Sequence, residues 1–287
     1  MTEKGALVLA CASAIFFGTA LVTAKLGLRT MDARAGAAIS IPTATVLLAL
    51  AAPFALDASA LSVAAALVFA LVGVFFPALV TLITFAANDR LGPSVTGTLS
   101  STAPLFALAA AFVFLGERIP SRALVAAIGV VAGAALLSWR GGAIVRRALW
   151  LPLAGAALRG VAQVLAKAGL ALWPNPFAAS LIGYAVSTAA VTAADRLRRG
   201  APAHRPRAAL GWFMATGVLN GGAVLLMYAA LAAAPVSLVA PVIAGYPLVT
   251  VLLGAALVRE ERLNARVISG AMLVAAAIAY LVGPAVI

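Results

Sequence analysis

GTALVTAKLGL, residues 18–28, and GVAQVLAKAGL, residues 160–170, are two copies of one sequence pattern. Glycine, lysine, glycine and leucine recur in the same order and at one constant offset, which is the offset from Gly18 to Gly160. Both stretches lie inside long alanine-rich runs, where matches at alanine carry little information but matches at glycine and lysine do. The chain is therefore predicted to contain an internal duplication, which would determine its whole architecture.

The duplication extends along the chain, and its offset grows by one residue twice, as small insertions would produce. After the first such step, three pairs match: Ser94 with Ser237, Pro104 with Pro247 and Leu105 with Leu248. After the second step, three later pairs match: Glu117 with Glu261, Arg118 with Arg262 and Arg122 with Arg266. We predict a first repeat over residues 1–143 and a second over residues 144–287.

Composition places the chain in a membrane. Of its 287 residues, 64% are hydrophobic and 10% are charged, whereas soluble domains carry roughly 25% charged residues. A soluble chain with so few charges could not cover its own surface. The net charge of +12 comes mostly from arginines in short gaps between apolar runs, which indicates membrane orientation rather than a nucleic-acid partner.

Ten apolar runs approach or exceed the roughly 20 residues that a spanning helix needs. Backbone N–H and C=O groups in lipid must form hydrogen bonds within the segment, which favours helices. No segment shows the alternation of apolar and polar residues that is typical of membrane strands. The first run continues to Leu28, so we expect a retained helix rather than a cleaved signal peptide. We predict an all-α membrane protein with ten transmembrane helices: 5–28, 35–56, 61–87, 91–115, 120–139, 149–172, 177–194, 208–231, 235–258 and 264–283.

Each predicted repeat holds five helices. Because five is odd, the second copy enters the membrane from the face opposite to the first. Two inverted repeats are a recurrent plan of alternating-access transporters, whose substrate site lies between the halves near the bilayer midplane.

The order of several short motifs on these helices resembles the EamA group of the drug/metabolite transporter superfamily. The first copy carries Phe17-Gly18 followed by Lys25, then Pro104 and Gly116-Glu117-Arg118; the second carries Gly160, Lys167, Pro247 and Glu261-Arg262. The second copy departs from the pattern, since Glu260 stands where glycine would precede Glu261. The resemblance implies a ten-helix exporter of amino acids, other small metabolites or cationic drugs in a bacterial-type inner membrane, with the aromatic-amino-acid exporters as the nearest analogy.

Three polar residues form a stripe on the predicted sixth helix. Arg159, Gln163 and Lys167 are spaced i, i+4 and i+8, so they share one face. Arg159 lies ten residues past Leu149, which at 1.5 Å per residue is about 15 Å into the membrane. A charge at that depth indicates function, and we predict that Arg159 binds substrate. The alternative is an arginine that binds carbonyls of a broken helix.

Other residues are candidates for substrate binding at the same site or for the gating and hinge motions of transport. Lys25 and Lys167 are predicted to bind substrate, although both lie near helix ends and can instead extend their ammonium groups to the interface. Asn220, Tyr228 and Tyr246 are further binding candidates, with simple packing as the alternative. Tyr184, midway along the predicted seventh helix, is equally open to packing and to the pocket. Proline kinks helices, and four residues are predicted to serve gating or hinge motion: Gly18, Gly160, Pro104 and Pro247.

The residue inventory argues against several functions. One histidine, His204, and one cysteine, Cys11, offer no metal site and no nucleophile–base pair for an enzyme, and no cofactor motif occurs. A solute transporter is predicted, with a channel or a scaffold as alternatives. The expected partners are a small-molecule substrate and the lipid bilayer, and the chain is expected to be a monomer. Arg159 would repel a cationic drug, so amino-acid export leads.

Two further expectations concern coupling and orientation. All eight acidic residues lie at predicted helix ends or in loops, which favours a facilitator over a proton-coupled exporter. Loops on the amino-terminal side carry three basic residues, Lys4, Arg118 and Arg122, and the opposite loops carry 14. The positive-inside rule therefore predicts both termini outside, whereas the family resemblance implies both in the cytoplasm.

Overall fold

Helices make up almost all of the chain that the computed structural model describes, which is residues 2–57, 61–138, 149–196, 207–257 and 265–286. The first six are α1 (Glu3–Leu28), α2 (Ala33–Ala55), α3 (Val63–Phe75), α4 (Ala78–Ser100), α5 (Ala103–Leu115) and α6 (Ser121–Ser138). The next six are α7 (Trp150–Leu172), α8 (Pro176–Arg196), α9 (Arg207–Ala233), α10 (Val236–Ile243), α11 (Tyr246–Leu257) and α12 (Ala265–Val286). No strand occurs within these ranges, which confirms the all-α prediction. The predicted repeat boundary at residues 143–144 lies outside them.

The two repeats begin corresponding helices with corresponding residues. Asp32 accepts hydrogen bonds from the N–H groups of Arg34 and Ala35 at 2.9 and 2.8 Å and begins α2. Its equivalent in the second repeat is Asn175, whose side-chain oxygen accepts from the N–H of Ala178 at 2.9 Å at the start of α8. Asp and Asn are favoured at this position because they satisfy N–H groups that lack a helical partner.

Helix breaks divide three of the predicted spans. The run 61–87 is divided after α3, the run 235–258 is divided between α10 and α11, and the run 91–115 is divided between α4 and α5. In the last two cases the preceding helix ends four residues before a proline, Ser100 before Pro104 and Ile243 before Pro247. A proline ring clashes with the carbonyl four residues earlier and lacks an N–H, so the helix ends there.

The predicted gap between residues 87 and 91 is wrong. α4 continues through it as one helix from Ala78 to Ser100. Asp89 and Arg90 are exposed and lie within this helix without breaking it. Charge in an otherwise apolar run was therefore an insufficient sign of a helix end.

Seven described segments are long and apolar enough to cross a membrane: Glu3–Leu28, Ala33–Ala55, Val63–Leu91, Pro176–Ala194, Arg207–Ala233, Val236–Ala255 and Ala265–Gly283. Shorter apolar helices lie at Ala103–Leu115 and Ser121–Leu137. α7 has sufficient length but is absent from these seven, because its polar stripe lowers its hydropathy. Large apolar side chains such as Phe54 and Phe112 are exposed, as lipid-facing residues are. A count of ten spans stays a prediction.

Helices of the two repeats pack reciprocally. α1 packs against α9 and α11, while α7, its counterpart, packs against α3, α4 and α5; α2 packs against α8, and α6 against α12. Contacts of this exchanged kind are those of a two-fold arrangement. The hydroxyls of Thr45 and Thr188, which occupy equivalent positions in the two repeats, lie 2.7 Å apart. A pseudo-two-fold axis therefore passes between these two threonines.

Candidate functional site

A cavity lies between the repeats, enclosed by residues of α1, α4, α7, α8, α9 and α11 together with the break between α3 and α4. Its lining is mostly apolar and aromatic, with several hydroxyl groups and one charged side chain. The lining residues are Phe17, Ala20, Leu21, Phe76, Pro77, Val80, Thr81, Thr84, Phe85, Thr96, Gly97, Ser100, Arg159, Tyr184, Asn220, Val224 and Tyr246.

Arg159 is the one charged side chain among the described residues that line this cavity. Its guanidinium carbon lies 5.4 Å from the ring centroid of Phe17 and 5.8 Å from that of Tyr246. Aromatic faces attract cations within about 6 Å, so the two rings hold the charged group in place. Its Nε is buried and has no hydrogen-bond partner among the described residues. The guanidinium can therefore donate to a bound anion.

Three of the seven predicted binding residues line the cavity: Arg159, Asn220 and Tyr246. The other four, Gln163, Lys167, Lys25 and Tyr228, are not among its lining residues in the described structure. Gln163 lies in α7 and Tyr228 in α9, and both are buried. The stripe on α7 thus reaches the cavity only at Arg159.

Lys167 contacts the end of α9. Its ammonium group donates to the carbonyl oxygens of Leu231 and Ala234 at 2.6 and 3.0 Å. The last carbonyls of a helix have no partner within the helix, and a basic side chain satisfies them and opposes the negative helix end. The geometry gives Lys167 a capping role in place of the predicted cavity position.

Glu117 contacts the beginning of α10, which belongs to the other repeat. Gly116 ends α5 in the left-handed conformation, with φ of 63°, which glycine adopts without steric cost. The chain then turns so that the Glu117 carboxylate accepts from the N–H groups of Val236 and Ser237 at 3.1 and 3.2 Å. The Gly-Glu-Arg motif therefore joins the first repeat to the start of α10, where a negative charge is favourable. The matching Glu261 and Arg262 lie outside the described residues.

The two glycines predicted as gating residues are sites of close helix approach. A Cβ on Gly18 would lie 2.7 Å from the carbonyl oxygen of Tyr246, and one on Gly160 would lie 2.7 Å from the backbone nitrogen of Ala107. Pro104 and Pro247 begin the helices against which these glycines pack. The structure places each glycine–proline pair together across the repeats; their part in motion stays a prediction.

Sequence reasoning missed the hydroxyl-bearing part of the lining. Thr81, Thr84, Thr96 and Ser100 all lie on α4. A comparison of the two repeats identifies these α4 residues. In the alignment that pairs Ser94 with Ser237, their equivalents in the second repeat are residues without a hydroxyl group: Val224, Met227, Val239 and Ile243. No group of three or more metal-ligating side chains occurs within the described ranges.

The sequence profile of the EamA-like transporter family matches residues 4–139 and 146–283, once for each repeat. The chain belongs to the EamA-like transporter family. Membership confirms the resemblance inferred from the motifs and makes this protein a membrane transporter rather than an enzyme. The transporter is also similar to a solved crystal structure, with a TM-score of 0.78 and 15% sequence identity over 96% of either chain, which shows a shared fold. No curated protein matches.

Proposed function

We propose that this transporter exports amino acids, or similar small amphipathic metabolites with a carboxylate, by alternating access across a bacterial-type inner membrane. One observation carries the proposal: Arg159 presents a guanidinium with an unpartnered Nε to a cavity that both repeats line. A guanidinium forms paired, charge-assisted hydrogen bonds with a carboxylate.

The rest of the lining favours a substrate with an apolar body. Phe17, Phe76, Phe85 and Tyr246 supply aromatic surface around the guanidinium. No carboxylate lines the cavity among the described residues, so a cationic drug would face Arg159 without a counter-ion. An amphipathic carboxylate fits this surface better than a cation does.

Alternating access is supported by the arrangement of the repeats. The cavity lies between them, and reciprocal packing of α1 and α7 relates them by a pseudo-two-fold. We propose ten spans and an inverted second repeat, which would put this axis in the membrane plane. We propose in addition that the transporter acts as a monomer.

We further propose that the transporter is a facilitator, which moves substrate down its own gradient. None of the described Asp and Glu residues lines the cavity, and a guanidinium does not deprotonate. Lys167 is held by two carbonyl groups, and Lys25 is not among the described lining residues. Among the described residues, the cavity lining thus holds no carboxylate, histidine or lysine to gain and lose a proton during each cycle.

Flux from loaded proteoliposomes tests this function. Across a panel of amino acids, we expect efflux of apolar and aromatic ones down a concentration gradient. With equal substrate on both sides, an imposed pH gradient should produce no accumulation of a zwitterion. Uphill accumulation driven by the pH gradient, and abolished by Lys25→Ala or Lys167→Ala, would refute the facilitator and identify a proton site.

Orientation gives a separate prediction. Of the 14 basic residues assigned to the predicted loops opposite to the amino-terminal side, Arg90 lies within α4 instead. The remaining 13 still exceed the three on the amino-terminal side, and basic loops stay in the cytoplasm. A carboxy-terminal fusion to green fluorescent protein, which folds only in the cytoplasm, should therefore be dark, while an alkaline phosphatase fusion should be active. A bright fluorescent fusion would place both termini inside instead.

A further inference from the structure

Two buried hydroxyl groups of the cavity have no hydrogen-bond partner among the described residues. The Oγ1 of Thr96 and the hydroxyl of Tyr184 are both buried, with residue exposures of 2% and 1%. Both residues line the same cavity as Arg159. Buried polar groups are almost always paired, so an unpaired one calls for an explanation such as a ligand.

The internal repeat shows that the fold does not require these hydroxyls. In the alignment of the repeats that pairs Thr45 with Thr188, Thr96 corresponds to Val239 and Tyr184 to Ile41. Both apolar counterparts are buried, at 0% and 2% exposure. The same helix positions are therefore packed without a hydroxyl in the other repeat, which argues against a purely structural role for Thr96 and Tyr184.

Hydroxyl oxygens complement what Arg159 lacks. A guanidinium only donates hydrogen bonds, whereas the oxygens of Thr and Tyr also accept them. We propose that Thr96 and Tyr184 form a second polar subsite, which accepts hydrogen bonds from the substrate's ammonium group. This inference rests on the proposed function, in which Arg159 holds the carboxylate, and it makes the preferred substrate an α-amino acid rather than a simple carboxylic acid.

Binding of matched probes to the purified transporter separates the two subsites. Phenylalanine and leucine carry both groups, 3-phenylpropionate and 4-methylpentanoate lack the ammonium group, and phenethylamine and 3-methylbutylamine lack the carboxylate. Tyr184→Phe and Thr96→Val remove only the hydroxyl, and the second substitution copies the residue of the other repeat. Each should weaken amino-acid binding about tenfold and leave binding of the two carboxylates unchanged.

Two controls match these changes outside the cavity. Tyr280→Phe removes the hydroxyl of a tyrosine that is 55% exposed on α12, and Thr192→Val removes one that bonds only to its own helix backbone on α8. Neither should change the affinity of any probe. Thermal unfolding of each variant in detergent separates lost binding from lost folding, and Asn220→Ala gives a further cavity variant that keeps both hydroxyls.

The outcomes distinguish this inference from the proposed function. Equal loss of amino acids and carboxylates in Tyr184→Phe and Thr96→Val, or no loss in either, would overturn the ammonium subsite while leaving Arg159 as the carboxylate site. Unchanged carboxylate binding in Arg159→Ala would overturn the proposed function itself. Binding of none of the six probes to the wild type would overturn both.

Discussion

Arg159→Ala should lower affinity and flux for carboxylate-bearing substrates about 10- to 100-fold. A hydrogen bond to a charged group contributes about 1.5–3 kcal/mol, and about 1.4 kcal/mol corresponds to a factor of ten. Arg159→Lys keeps the charge but loses the planar pair of donors. Its affinity and flux should therefore lie between those of the wild type and those of Arg159→Ala. Efflux of radiolabelled substrate from proteoliposomes, measured at a series of substrate concentrations, gives the affinity and the flux of each variant.

Esterified substrates test whether the lost interaction is the one proposed. Blocking the carboxyl group should reduce affinity in the wild type and have no further effect in Arg159→Ala. Arg34→Ala is the matched control, because Arg34 is exposed at the start of α2 and its removal should leave flux unchanged. An equal loss on esterification in wild type and Arg159→Ala would make Arg159 a structural residue.

Gly160→Ala and Gly18→Ala should each destabilise the transporter by roughly 1–3 kcal/mol, the usual cost of overpacking. The new Cβ at residue 160 would lie 2.7 Å from a backbone nitrogen and 3.0 Å from the carbonyl oxygen of Ala103. Backbone atoms of a packed helix cannot rotate away, so α5 and α7 must separate. The melting temperature in detergent should fall by about 2–10 °C.

Gly211→Ala distinguishes close packing from helix propensity. Nothing lies within 4 Å of a Cβ at residue 211 in α9, so this change should leave the melting temperature unchanged or raise it, since alanine favours helix over glycine. A melting temperature for Gly160→Ala equal to that of Gly211→Ala would show that the approach of α7 to α5 tolerates a side chain.

The sequence was sufficient for those features that follow from composition and spacing. The apolar runs predicted the helical membrane protein, and the offset between Gly18 and Gly160 predicted the repeat that the family match confirms. Arg159 was placed in the interior from its depth along one helix, and it lines the cavity. In each case one element determines the outcome, so no knowledge of neighbouring helices was needed.

What the sequence did not show depends on which helices meet. Lys167 and Arg159 are spaced to lie on one face of α7. The ammonium group of Lys167 nevertheless binds the end of α9, at Leu231, which is 64 residues away along the chain. Glu117 likewise reaches α10 across the repeats. The hydroxyl-bearing lining residues of α4 could not be predicted, because threonines in apolar runs normally bond to their own helix backbone. Only the assembled cavity shows which hydroxyl groups face it instead.

The contact between Phe17 and Arg159 has a consequence for how this cavity could arise. The two residues hold equivalent positions in the repeats, each directly before the glycine of the Gly18–Gly160 pair, and the guanidinium carbon lies 5.4 Å from the phenyl centroid. In a homodimer of one five-helix subunit, that position would carry two arginines in mutual repulsion or none. A single guanidinium against an aromatic ring is therefore available only when the two halves differ in sequence at this position, as the two repeats of this chain do.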